Sequence, residues 1–578
     1  MYDKFPFIPV GAADECTLGW TSISARIAAD AERSNARVVC VEAYPGADYT
    51  AIFDNLSKAY SYAKTFNTLE LFKSSAAIDT MLKTYLTDDP VFGHMNNVII
   101  RDFFDDEKLC NAQCELTAIN GLALVVGPGA SLVASAQRLL IYADMARWEL
   151  QLRQRRKQIG NLGADNQNER PSLKYKRAFF VDWRAADRLK QKLLGEIDLL
   201  LDTNAADAPK LIKGDAFRRG LAQAARRPFR VVPFFDPGPW GGHWMERVCD
   251  LPTDGVPNHA WCFDCVPEEN SLLLGFGDHR VEIPAIDLVF QHPRELLGES
   301  VFARFGAEFP IRFDFLDTMG GGNLSLQVHP LTSYIREHFG MDYTQDESYY
   351  MLDAEENATV FLGLREGIDR DAMVRDFESA QEGEIEFPAA KYVNQFPAHK
   401  HDHFLIPAGT IHCSGRNSMV LEISATPYIF TFKLWDWGRL GLDGRPRPVH
   451  LKHGLANIQW NRTTEFVERS LINRFEPVAS GDGWREERTG LHELEFIETR
   501  RHWFTGKVEH DTRGTVNVLN LVEGTEAIVE SPSGAFDPFV VHYAETFIVP
   551  AEVGVYTIRP HGPSVDKECA TMMAFVRC

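Results

Sequence analysis

From about Pro239 onward, short apolar segments alternate with polar positions and are cut apart by Gly, Pro and Asp. The run includes "SLLLGF", "RVEIPAIDLVF", "LSLQVHP", "ESYYMLD", "ATVFLGL", "HFLIPAGTIH", "SMVLEIS" and "YIFTFKLWDW". A period of two in pieces this short is the pattern of an antiparallel β-sandwich or barrel. One helical period interrupts it: "DRDAMVRDFESA" puts Met373, Phe377 and Ala380 on one face. The final stretch returns to the β rhythm in "GTVNVLNLVEG", "EAIVES" and "ETFIVPAEVGVYTIRP". There "FIVPAEVGVYTI" echoes "FLIPAGTIHCSG", which predicts a second, degenerate copy of the same sandwich.

The region before this reads as mixed α/β. "ARVVCVEAY" predicts a strand ending in a turn. "TAINGLALVVGPGASLVASAQRLLIY" predicts two buried strands, or a strand and a helix, around Gly127-Pro128-Gly129. "DMARWELQLRQRRKQI" predicts a helix capped by Asp144, with Arg153 to Lys157 as a solvated basic end. The proline- and glycine-rich "RRPFRVVPFFDPGPWGGHW" marks a junction. The expected organisation is an α/β domain over residues 1–230, a β domain over 231–455 and a second β domain over 456–578.

Length agrees with that division, since 578 residues exceed one ordinary domain and suggest roughly three or four. Hydrophobic content of 45% and charged content of 24% are those of a globular chain with real cores. The net charge of −21 argues against a nucleic-acid or anionic-membrane partner, which would need a basic face. Leu116 to Gln137 is free of charge over a length that could span a bilayer, but its internal Asn120-Gly121 and Gly127-Pro128-Gly129 fit buried strands around a turn instead. The opening residues lack a basic segment followed by an apolar core, so the expected compartment is the cytoplasm. The oligomeric state is not legible.

The cysteines group most tightly as Cys110 with Cys114 and Cys262 with Cys265. "HAWCFDCVPEENSLLLGF" reads as a strand, in which a three-residue offset sends side chains to opposite faces, so reduced structural cysteines are expected. "VVGPGASLV" invites comparison with a phosphate-binding loop but lacks the terminal Lys and Ser/Thr that such a loop needs. "LLIYADMARWELQLRQRR" distantly resembles part of a nucleoside-kinase-type domain, and a non-catalytic role is expected for it. His399, His401 and His403 in "AHKHDHF" would share one side of a strand, as an exposed polar edge or a second metal site.

Candidate chemistry centres on Gln327, His329, Glu347 and His412. Strand alternation puts Gln327 and His329 on one face. With a carboxylate and a histidine from other strands they would make a mixed N/O set suited to Zn²⁺ or a similar divalent ion. On spacing alone, separately satisfied polar groups are the favoured reading.

Several motifs together resemble class I mannose-6-phosphate isomerases, in order and in rough spacing over about residues 235–578. They are "PWGGHW", "NLSLQVHP", "QDESYYML", "FLIPAGTIHCSG", "VLEIS" and "LWDWGRLGLDGRPRPVHL". The resemblance implies cupin-type (jelly-roll) sandwiches and one zinc or other divalent ion per chain, held by Gln327, His329, Glu347 and His412. It implies a small-molecule sugar or sugar phosphate as ligand and aldose–ketose isomerisation as the reaction. Glu422 in "VLEIS" matches an active-site glutamate and is the first candidate for acid/base work, with His450 as the alternative. Lys433 stands where the family usually has an arginine, and Gln345 where many members have a lysine. Ser325 keeps the family's residue, and Ser325, Gln345 and His450 are the substrate-binding candidates. Two of these positions weaken the cationic character of the site, so the alternative is a catalytically reduced cupin that senses a sugar or sugar phosphate.

Overall fold

The strands Val38–Ala43 and Ala123–Gly127 are buried at every residue, as expected when helices cover both faces of a parallel sheet. The computed structural model describes residues 1–426, 429–440, 447–490, 492 and 495–577. Part of the motif "LWDWGRLGLDGRPRPVHL", residues 441–446, therefore lies outside the described residues. The chain forms two compact units, one of residues 7–225 and 267–292, the other of residues 1–6, 226–266 and 293–578.

In the first unit a seven-stranded sheet runs in the order Thr17–Leu18, Lys210–Lys213, Leu199–Asp202, Arg138–Asp144, Val38–Ala43, Ala123–Gly127, Lys64–Asn67. Its pairings are parallel from Leu199–Asp202 through to Lys64–Asn67 and antiparallel at the Lys210–Lys213 edge. A smaller sheet joins Phe7–Gly11 to the hairpin Ser271–Phe276 and His279–Pro284.

Gly127-Pro128-Gly129 links the strand Ala123–Gly127 to a short helix, Ala130–Val133. The Gly129 and Ser131 backbone N–H groups donate to the Glu42 carboxylate at 2.6 and 2.9 Å. An internal carboxylate thus already occupies the donors that a phosphate would use. Two expectations for the following helix fail. It spans Arg147–Arg155 with Ala146 at its cap, because the chain stays extended through Asp144. Asp144 instead pairs with the buried Lys190 at 2.7 Å, and Lys190 also meets Asp287 at 2.9 Å. Nor is Arg153 solvated, since its guanidinium donates to the carbonyls of Gly46 and Thr203 at 3.1 and 2.8 Å, whereas Arg155, Arg156 and Lys157 are exposed as expected. Among the described residues no helix is long and apolar enough to cross a membrane.

The second unit holds two pairs of sheets. In the first pair, a six-stranded sheet runs His403–Ile406, Glu347–Ala354, Ser418–Ala425, Ile311–Asp317, Trp261–Cys265, Phe234–Asp236. Its partner runs Val393–Pro397, Thr359–Leu364, His412–Ser414, Leu326–Val328, Phe432–Trp435. The helix Arg370–Gln381 carries Met373, Phe377 and Ala380 as its buried residues, as its period requires. The second pair comprises a six-stranded and a four-stranded sheet, which share an apolar core that includes Phe504, Leu519, Val529, Phe547 and Ile558.

"HAWCFDCVPEENSLLLGF" is two strands, Trp261–Cys265 and Ser271–Phe276, separated at the proline and the polar residues that follow it. The register slips between Phe263 and Cys265, and both Cys262 and Cys265 are free and buried. The three histidines of "AHKHDHF" share no face, because the chain turns through His401 at φ 73° and the strand begins only at His403. His399 is exposed beside Asp402, His401 Nε2 lies 3.1 Å from Glu523, and His403 is fully buried, its Nδ1 donating to the Thr489 carbonyl at 3.2 Å.

Candidate metal centre

Register explains which side chains meet inside the first sheet pair. On the six-stranded sheet, Arg312, Ser424 and Glu347 form one cross-strand row, and Asp314, Glu422 and Tyr349 form the next row on the same face. On the partner sheet Gln327 pairs with His412 on one side and Lys433 on the other. His329 follows directly on the strand Leu326–Val328. The loop that leads into His412 is fixed by Gly409, whose N–H donates to the His329 carbonyl at 2.9 Å. Gly409 has φ +86°, and a Cβ there would come within 2.8 Å of the Asn457 carbonyl oxygen, so the turn requires glycine.

Glu347 Oε2 lies 3.1 Å from His329 Nε2, and Glu347 Oε1 lies 2.8 Å from His412 Nε2. Gln327 Nε2 is 3.2 Å from His412 Nε2; its amide oxygen would face the same point after a flip, which leaves the shape unchanged. The opposite edges of the rings face the backbone: His412 Nδ1 donates to the Thr410 carbonyl at 2.9 Å, and His329 Nδ1 lies 3.4 Å from the Phe430 carbonyl. This fixes the tautomer that presents a bare Nε2 inward, as a metal ligand needs. His329 Nε2 and Glu347 Oε1 are buried without hydrogen-bond geometry to any partner among the described residues. Unpaired buried polar atoms at this spacing fit a shared divalent ion. Among the described residues His329, Glu347 and His412 form the one group of His, Cys, Asp or Glu side chains placed to hold a metal. Burial holds the His329 imidazole below its ordinary pKa. Burial alone would raise Glu347, but the two imidazoles keep its carboxyl well below the usual range. A neutral imidazole and an ionised carboxylate are the ligand forms.

Glu422 sits one row from Glu347. Its Oε1 accepts from Arg312, from Gln345 at 3.2 Å and from Ser424 at 3.0 Å. Gln345 also donates to Glu347 Oε2 at 2.9 Å and so ties the two carboxylates together. Burial and the nearby Glu347 charge push the Glu422 carboxyl up to about 7, against the pull of Arg312. Arg312 is shared with Asp314 at 2.8 Å.

The remaining candidates divide between the interior and its support. Lys433 lies on the Gln327 row, and burial lowers its ammonium pKa. His450 braces that residue's backbone, with Nδ1 accepting the Lys433 N–H at 3.2 Å. Ser325 is buried and donates to Asp436 at 2.5 Å. Sequence reasoning missed Arg312, Asp314 and Tyr349. The signal for the first two was present in "IRFDF", where charges alternate with apolar residues inside a strand that is otherwise core.

Residues 19–226 match the family model described as Domain of unknown function (DUF8485). The mannose-6-phosphate isomerase of Streptococcus mutans is 27% identical over 221 residues, which is 37% of this chain and 63% of that protein. The chain thus spans less than two thirds of that relative's length. The mannose-6-phosphate isomerase ManA of Bacillus subtilis is 25% identical over 237 residues, 40% of this chain and 68% of that protein. The crystal structure of the mannose 6-phosphate isomerase from Bacillus subtilis superposes with a TM-score of 0.49 at 18% identity, covering 60% of this chain and 99% of that one. The curated relatives of this chain are therefore mannose-6-phosphate isomerases, at low identity and over part of its length.

Proposed function

We propose that this chain is a metal-dependent aldose–ketose isomerase acting on mannose 6-phosphate or a related sugar phosphate. In this reading residues 231–455 are the cupin-type catalytic domain, residues 456–578 its degenerate second copy, and residues 1–230 an α/β domain without catalytic role. The observation that carries the proposal is the placement of Glu422, poised near neutrality, one strand row from the His329, Glu347 and His412 group.

Gln327, His329, Glu347 and His412 would hold one zinc or similar divalent ion, which when bound supplies Lewis-acid stabilisation of negative charge on a sugar oxygen. Isomerisation also needs a group that takes a proton from C2 and returns it to C1. Glu422 meets that need. Burial raises its carboxyl above the ordinary glutamate range, which suits a group that must both take and return a proton, and Arg312, Gln345 and Ser424 hold its orientation. Lys433 supplies a cation beside Gln327 as charge develops on the substrate. Gln345 keeps a hydrogen-bonding side chain between the two carboxylates without adding charge, and Ser325 and His450 act through Asp436 and the Lys433 backbone.

The test is exchange of the C2 hydrogen into solvent heavy water, with aldose–ketose interconversion followed in parallel. Exchange with mannose 6-phosphate or a related sugar phosphate that disappears on metal removal and returns with zinc is the expected result. Binding of a sugar phosphate without exchange or turnover would reject the isomerase in favour of a sensor.

A further inference from the structure

The interior of the second sandwich is apolar at one end and polar at the other. Alternation along Ile497–Phe504 sends Glu498, Arg500, His502 and Phe504 to the same face. Phe504 belongs to the apolar core, and the next cross-strand row pairs His502 with Glu486 and with Thr571. The row beyond it pairs Arg500 with Met573, and the last pairs Glu498 with Phe575, which is itself paired with Asn517. From the facing sheet His510 points inward and stacks on Tyr556, ring centroids 5.0 Å apart and planes 11° from parallel. Glu498, His502, His510, Asn517, Met573 and Phe575 are among the residues that line a cavity of about 450 Å³. That volume lies within the range of small-molecule sites and has room for a monosaccharide.

Polar groups on an inward face cost stability unless something satisfies them. Here two do not find a protein partner: His502 Nδ1 and His510 Nε2 are buried and unpaired among the described residues. The His502 and His510 rings lie 4.4 Å apart, but with Glu486 they do not bring ligand atoms close enough to form a metal group. Nor is the cavity built for a phosphate. Arg500 is already clamped between Glu486 and Glu498 at 2.7 Å each, Arg577 donates to the backbone carbonyls of His492 and Glu495, and the exposed Arg513 shares the lining with the carboxylates of Glu509 and Asp511. What remains is a set of planar donors and acceptors facing the Met573 and Phe575 side chains. That combination matches a ligand with hydroxyl groups on its edge and C–H groups on its face.

We propose that the second sandwich binds a neutral sugar in this cavity, with His502, His510, Glu498 and Asn517 meeting hydroxyl groups and Phe575 packing against a C–H face. The proposal rests on this cavity alone and not on the isomerase reading. Titration calorimetry and saturation-transfer NMR on the full chain, with mannose, glucose, fructose and mannose 6-phosphate as probes, test it. The His329→Ala/His412→Ala variant, run alongside, removes the first site. The expected result is that a neutral hexose binds wild type and that variant equally. Its affinity should fall by about tenfold or more, the equivalent of one hydrogen bond, in both His510→Phe, which keeps the stack on Tyr556, and Asn517→Leu. Circular dichroism reports folding, and either variant that stays folded suffices. No binding of any neutral hexose, neutral-hexose binding lost in the His329→Ala/His412→Ala variant, or preference for the phosphorylated sugar in that variant would each overturn the proposal. So would Zn²⁺ binding that His510→Phe abolishes without any sugar binding.

Discussion

Glu422→Gln separates chemistry from structure in a way the geometry makes quantitative. The glutamate is buried, and burial with the nearby Glu347 charge pushes its carboxyl up to about 7, above the unfolded value. Ionising it inside the fold costs stability that a neutral isostere never gives up, about 3 kcal/mol by pH 7 for a carboxyl raised from about 4.3 to about 7. The amide oxygen can still accept from Arg312, Gln345 and Ser424, so at most about one hydrogen bond is lost. At pH 7 the variant should therefore be more stable than wild type, by about 2 kcal/mol. Its pH dependence has a definite sign. The folded pKa lies above the unfolded value of about 4.3, so wild type gives up stability as the pH rises from there through 7, and the variant does not. Catalysis should respond on another scale, because loss of a positioned acid/base group typically costs ~10²–10⁴ in rate. Metal content should not change, since Glu422 makes none of the close approaches to His329 or His412. The assays are sugar-phosphate C2 hydrogen exchange, elemental analysis and denaturant midpoints at pH 5 and 8. A variant with full activity would refute the assignment, and so would one that loses its metal or several kcal/mol of stability.

The ligand group gives a direct test: His329→Ala/His412→Ala should lower bound divalent metal from about one ion per chain to near zero, and unchanged content by elemental analysis would discard the assignment. Lys433→Ala should slow turnover, whereas Lys433→Arg, which restores a fork of donors, should raise activity on mannose 6-phosphate; steady-state kinetics decide. Because Glu42 fills the backbone donors at Gly129 and Ser131, the chain should show no ATP turnover sensitive to changes in Gly127–Gly129, and turnover abolished by such changes would contradict this. Burial holds the His403 imidazole at about 3, below its unfolded value of ~6.5, so its contribution is complete above pH 6.5 and about 2 kcal/mol of it is gone by pH 5. His403→Phe should flatten the acid side of the stability profile, and an unaltered profile in denaturant titrations from pH 7 to 5 would contradict that burial effect.

Period and chemistry were legible in the sequence to different depths. Alternation placed Gln327 and His329 on one strand, and the echo between "FLIPAGTIHCSG" and "FIVPAEVGVYTI" anticipated a second pair of sheets. What alternation cannot supply is cross-strand register, and register is what sets Glu347 opposite Ser424 and so brings Glu422 and Arg312 within one row of the ligand group. The same gap hid Asp144. A local reading saw an acidic residue before a helical period and made it a cap, but its partner Lys190 lies far along the chain and could be found only in three dimensions. The histidines at 399, 401 and 403 show the complementary failure. Their spacing suits a strand, yet His401 takes a left-handed turn, and only His403 enters the sheet. Short polar runs beside a strand carry too little hydrophobic signal to fix where the turn ends, so a period-two reading from His399 starts the strand four residues too early. The second sandwich combines both lessons. Its inward polar row of Glu498, Arg500 and His502 is written plainly in "IETRRHWF", but nothing local distinguishes an inward row from an outward one. Only the pairing of Arg500 with Met573 and the apolar core at Phe504 show that this row faces the interior, where Glu486 and Glu498 hold Arg500 and His502 Nδ1 is left unpaired among the described residues.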